Sequence, residues 1–168
     1  MAADNILRQW ALFVDGRGYV GNVEQLKLPE LTLKTEEFRA AGMDAPVSVD
    51  MGMEKLETTF TLTKKCADML KLFGGREGGE VPLTARGGLE SADGTVTPVI
   101  VSMRGRIVSV KPGEWKAGER PTDEYTVTLV YYKYEQGGEV LHEIDVLGMK
   151  RIVGGVDRLE EHRRACGI

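Results

Sequence analysis

Apolar residues recur at every second position over much of this chain, and that period builds strands rather than helices. Leu56, Thr58, Phe60 and Leu62 alternate with Glu57, Thr59 and Thr61. The same rhythm sets Val81, Leu83 and Ala85 against Thr84 and Arg86, and Val99, Val101, Met103 and Ile107 against Ser102, Arg104 and Arg106. It returns in Tyr125, Val127, Leu129 and Tyr131, and in Val140, His142, Ile144 and Val146. Successive side chains of a strand point to opposite faces, so each segment offers one face to a core and one to water. Strands of this kind need many reversals, and 21 glycines in 168 residues is well above the usual ~7%.

Leu7–Val14 ends at Asp15-Gly16, a hairpin signal. A second strand is expected over Tyr19–Leu28, with Gly21 marking a bulge. Further turns fall at Ala92-Asp93-Gly94 and Gln136-Gly137-Gly138. Cys66, Met69, Leu70 and Phe73 have the spacing of an amphipathic helix over about 64–73, capped by Thr63 and ended by Gly74-Gly75. Glu160 and Arg164, four residues apart in a charged segment over about 156–166, support a short surface helix. The expectation is one domain, 1–168, mainly β: about eight or nine strands in an antiparallel β-sandwich or β-barrel with one packed α-helix.

One stretch does not fit a compact sandwich. A strand from Leu31 to about Arg39 and the strand Leu56–Leu62 pair, on this reading, as a long hairpin, and the arm 39–53 joins them. Hairpin loops need about two to five residues, whereas this arm is far longer and carries Met43, Pro46, Val47, Val49, Met51 and Met53. It cannot bury these side chains by itself. Exposed apolar surface on a long connection marks a contact with another chain.

A net charge of -4 argues against tight binding to a phosphate backbone. Cys66 and Cys166 lack nearby cysteine companions, so they are read as reduced thiols in a cytoplasmic protein. No apolar run approaches the ~18 residues of a membrane span, and Met1–Arg8 contains Asp4 and lacks the pattern of a signal peptide.

Chemistry is sparse. His142 and His162 belong to no metal pattern, no nucleophile elbow is present, and Gly74–Gly79 lacks the Gly-Lys-Ser/Thr ending of a phosphate loop. The acidic group Glu36, Glu37, Asp50, Glu54 and Glu57 reads as a solvated strand face rather than paired catalytic carboxylates. Arg104 and Arg106 are expected to pair with carboxylates across a sheet. No catalytic residue, metal site or cofactor is assigned.

The order of motifs is informative: Leu12-Phe13-Val14-Asp15-Gly16, Leu26-Lys27-Leu28-Pro29, Lys34-Thr35-Glu36, Arg39-Ala40-Ala41-Gly42-Met43, Met103-Arg104-Gly105-Arg106, Trp115-Lys116-Ala117-Gly118-Glu119, Glu143-Ile144-Asp145 and Gly155-Val156-Asp157-Arg158-Leu159. This series resembles the major tail tube proteins of contractile-tailed phages and the related R-type pyocin tubes. The resemblance implies a structural, non-enzymatic virion protein assembled in the host cytoplasm. Six copies form a ring whose hairpins merge into one β-barrel around a lumen, and rings stack into a tube inside the contractile sheath. It implies contacts with other copies, with the tail sheath, baseplate and tail-terminator proteins, and with a tape-measure protein in the lumen. Genomic DNA passes without specific binding, and the chain does not enter a membrane.

The arm then becomes the contact between subunits and rings, through Met43, Asp44, Pro46, Val47, Val49, Met51 and Met53. Glu36, Glu57, Thr59 and Thr61 are candidates for a negative, polar lumen wall that repels phosphate. A pyocin-like tube and a monomeric ligand-binding β-barrel are the alternatives at this stage, with a carboxylate hydrolase as a third class.

Overall fold

The chain reverses where glycine relieves the backbone. In the computed structural model, which describes residues 4–76 and 79–168, strand β1 (Ile6–Val14) turns at Asp15-Gly16 into β2 (Arg17–Gly18). Both turn residues have positive φ, 49° and 77°, the mirror-image turn whose twist matches that of paired strands. Gly137 and Gly138, at φ 62° and 82°, do the same between β9 (Asp123–Gln136) and β10 (Glu139–Asp145). Glu77 and Gly78 of the glycine-rich connection lie outside the described residues.

Two long strands organise the rest. β8 (Val96–Pro112) pairs with β9 over most of its length, with register shifts between Arg104 and Gly105 and between Ile107 and Ser109. At Gly105 a Cβ would lie 2.2 Å from the Thr128 carbonyl oxygen, so only glycine admits this close approach. Such irregularities bend a ladder, and each long strand takes part in two layers. One layer joins the end of β8, the start of β9, β6 (Glu57–Leu62) and β3 (Val23–Lys27). The other runs from β2 and β1 through β7 (Val81–Glu90) and the start of β8 to the end of β9, then β10, β11 (Lys150–Val153) and β12 (Val156–Asp157).

The alternating apolar residues meet between these layers. Leu12, Val14, Leu83, Val101 and Met103 from one and Phe60, Leu62, Ile107, Tyr125 and Val127 from the other are at most 3% exposed. The Phe60 and Tyr125 rings stack at 5.2 Å. The antiparallel β-sandwich expected from the alternation is the observed architecture.

Several local expectations are corrected. The helix expected over 64–73 is a single turn, α1 (Ala67–Leu70), because the chain leaves it to bridge the β8 edge, Gly74 N donating to the Ile107 carbonyl at 3.1 Å. Only Met69 of its stripe is buried, and the Thr63 hydroxyl bonds the Asn22 carbonyl instead of capping α1. Gly21, at φ 78°, sits in a turn rather than in a bulge, and the expected strand 19–28 is confined to Val23–Lys27. At the C-terminus α2 (Glu160–Cys166) forms as the charge spacing predicts, with Arg164 on Glu160 at 2.6 Å.

The largest correction concerns the arm. Val47–Met53 is not loop but a strand, β5, and it pairs with β4 (Leu33–Phe38) as a separate two-stranded sheet. The expected pairing of 31–39 with 56–62 does not form; β6 lies between β3 and β9. Closing the short connection 39–46 costs less chain entropy than closing the whole arm, so β4 takes its nearest partner.

Candidate assembly surfaces

The β4–β5 hairpin leaves the bend between β3 and β6 and exposes nearly every residue it contains. Its register sets Phe38 opposite Val47 and Glu36 opposite Val49, so these four share one face. Phe38, Val47, Val49 and Met51 are 43–55% exposed. The opposite face carries Thr35 across from Asp50 and Leu33 across from Met53.

A bulge decides which residues point where. The register slips between Leu33 and Thr35, where Gly52 adopts φ 104° and donates its N–H to Asp50 Oδ1 at 2.8 Å. One extra residue reverses parity. Met53 is thereby turned inward against the core, although simple alternation groups it with Val49 and Met51. Asp50 meets Arg151 of β11 at 2.7 Å and ties the hairpin to the main sheet. This guanidinium, followed by the Gly52 amide, holds the Asp50 carboxyl below its ordinary value.

Of the seven arm residues singled out from sequence, Asp44, Pro46, Val47, Val49 and Met51 are exposed. Met43 folds back, its sulfur accepting from Ala40 N at 3.3 Å and its carbonyl from Arg39 Nε at 3.3 Å. Phe38, the aromatic member of the outer face, was missed. It shares parity with the polar Lys34 and Glu36, so the alternation of β4 alone does not mark it; its register with Val47 does.

A second surface lies on the β3–β6–β9–β8 layer. Glu57, Thr59 and Thr61 occupy the face of β6 away from the core and align with Thr128, Thr126 and Glu124 of β9. Lys27 and Gln25 of β3 extend this face on one side, and Arg106, Ser109 and Lys111 of β8 on the other. The face is polar, but its charge is mixed rather than acidic: Lys55 sits 3.0 Å from Glu57 and Lys111 3.9 Å from Glu124. Glu36 is on the separate hairpin sheet and does not join this group.

Both margins of this layer are open. Among the described residues β3 pairs with β6 alone, and the end of β8 pairs with β9 while its other edge meets only the Phe73 bridge and the Gly74 amide at Ile107. An unpaired edge is a template for another strand.

Among the described residues no His, Cys, Asp or Glu cluster has metal-binding geometry. Arg104 stacks 4.7 Å over the Tyr131 ring instead of meeting a carboxylate across the sheet. In the core, Asp123 is fully buried against Lys65 at 2.5 Å, and burial together with this carboxylate pushes the Tyr125 hydroxyl up to about 12. Cys66 and Cys166 are free thiols.

The comparisons with known proteins place these surfaces in a family. Residues 4–167 match the family described as phage tail tube protein FII. The tail tube protein of Escherichia phage P2 is 34% identical over 172 residues, covering 100% of both chains. The major tail tube protein of Serratia phage KSP20 is 34% identical over 149 residues, covering 88% of this chain and 86% of the relative. In fold, the chain is similar to one from the sheath–tube complex of an extracellular contractile injection system, with a TM-score of 0.56 at 12% identity, covering 76% of this chain and 88% of that one. The bent sandwich with open edges and a projecting hairpin, together with this end-to-end likeness, makes the chain a member of the phage tail tube protein FII family, a structural component of the virion.

Proposed function

We propose that six copies close into a ring by pairing the free β3 edge of one chain with the β8 edge beyond the Phe73 bridge of the next, and that stacked rings form the inner tube of a contractile tail. The observation that carries this reading is the pair of open edges flanking one polar, threonine-rich face. Repeating the same edge-to-edge rotation closes a barrel and removes both edges. The polar face then lines the lumen through Glu57, Thr59 and Thr61, with Thr126 and Thr128 beside them. Hydroxyls exchange readily with water, and carboxylates beside lysines leave little net field to retain phosphate. DNA and a tape-measure protein pass or rest there without specific binding.

The hairpin is the contact between copies. Phe38, Asp44, Pro46, Val47, Val49 and Met51 project beyond the sandwich, and Glu36 travels with them. Methionine and β-branched side chains suit this role, one filling irregular gaps and the other stiffening the strand. The sheath encloses the outside of the tube, and the baseplate and tail-terminator proteins cap its ends. The fold shared with a chain of a sheath–tube complex from a contractile injection system supports the contractile setting.

Electron cryomicroscopy of the purified chain at rising concentration tests the reading. Stacked rings with six-fold symmetry and continuous β-pairing between subunits are the expected result. A persistent monomer, including in the presence of its baseplate, would overturn it.

A further inference from the structure

The two layers open at both sides, and the openings differ. On the β8 side the chain through α1 covers the gap: Met69 is buried, and Leu72 packs against the core. On the β3 side none of the described residues covers it. A cleft of about 320 Å³ remains there, its apolar wall formed by Leu7, Trp10, Leu26, Leu28, Ala85 and Val101. Leu26 and Leu28 come from the free-edge side of one layer and the rest from the facing layer.

The covering segment also presents side chains that the core does not use. Leu70 is 41% and Phe73 53% exposed, and Phe73 lies against the outer edge of β8 at Ile107. Lys71 stands between them in sequence, exposed, and Glu24 lines the cleft on the opposite flank, also exposed. Among the described residues neither makes an ion pair within the chain.

We infer that Leu70 and Phe73 of one chain insert into the cleft beneath β3 of the next, with Lys71 placed against Glu24 at its rim. The inference rests on the ring reading above, because the partner is a second copy of this chain and the seam is the one between β8 and β3. Three features favour this occupant over an unrelated ligand. Apolar knob and apolar cleft flank the two edges that the ring brings together. Both lie on the core side of the same layer, opposite the polar face. The charges beside them are opposite in sign. Each seam thus fills the apolar cleft beneath β3, and β-pairing gains an apolar anchor of the kind that dominates interface energetics.

Charge exchange and cross-linking test the seam in the full chain. Glu24→Lys and Lys71→Glu are each expected to raise the concentration needed for tube formation by about tenfold, and the double exchange to restore it. A chain carrying Phe73→Cys and Leu28→Cys, with Cys66→Ser and Cys166→Ser, is expected to yield a ladder of disulfide-linked oligomers on oxidation of assembled tubes. Circular dichroism of the unassembled chain checks that each variant is folded, and if the cysteine variant fails this check the charge exchange decides alone. Tubes from the wild-type chain with no rescue by the double exchange would overturn the knob and cleft while leaving edge pairing intact. Failure of the wild-type chain to form any ring would overturn the ring reading and this inference together.

Discussion

Strands β6 and β5 alternate in the same way and end in opposite situations. β6 buries Thr58, Phe60 and Leu62 under the facing layer, whereas β5 carries Val47, Val49 and Met51 into solvent. Nothing in the local pattern separates them. What differs is the second layer: β6 lies between β3 and β9 within the sandwich, and among the described residues β5 pairs with β4 alone. A two-stranded ribbon cannot bury its own face, so the hairpin holds apolar surface in reserve for another chain. Alternation therefore reports that a face is to be covered, and not by which molecule.

Breaking the buried side of this comparison has the largest effect. Phe60→Ala removes a fully buried ring stacked on Tyr125 and is expected to cost about 3–5 kcal/mol of stability, read by denaturant unfolding of the unassembled chain. Gly105→Ala forces a methyl group onto the Thr128 carbonyl at the bend. A loss of about 1–3 kcal/mol is expected by the same measurement, with the strand pair straightened. An unchanged midpoint in either variant would contradict the assigned core.

The junction between the two regions is sensitive to pH. Asp50 has a folded carboxyl value below its unfolded one, chiefly through Arg151. Its contribution to hairpin anchoring is therefore full above the unfolded value and is lost as pH falls through the depressed folded value. Amide protection of β4 and β5, measured relative to intrinsic exchange at each pH, is expected to fall on acidification more than that of β9, and Asp50→Asn to abolish the added pH dependence. An equal fall in the wild-type chain and in Asp50→Asn would remove Asp50 from this role.

The exposed side gives the smallest stability effect and the clearest functional one. Phe38→Ser and Val47→Ser, at positions 55% and 48% exposed, are expected to change folding stability by less than about 0.5 kcal/mol. Tube formation, followed by sedimentation, should nevertheless fall sharply. Variants that assemble normally would show that the hairpin face is not a contact.

Much of the molecule was legible because its causes are local. The Asp15-Gly16 and Gly137-Gly138 turns follow from backbone freedom, and the faces of β6, β8 and β9 follow from the two-residue period. The misreadings arise where distant parts compete. The helix at Cys66–Phe73 stops after one turn because Phe73 and Gly74 find partners on β8, and the assignment of Met53 to the arm surface fails at the Gly52 bulge, which one extra residue suffices to create. Phe38 was overlooked because its partner, Val47, sat in a segment read as loop.

The β character, the places of reversal and the presence of a long apolar arm arise from side-chain period and backbone freedom within a few residues, and all can be read along the chain. The neighbours of each strand, the bend of β8 and β9 through both layers, and the edges and clefts that stay open emerge from the folded molecule alone. Those outcomes depend on loop-closure entropy and on packing between residues far apart in the chain, and neither quantity is written in any single segment.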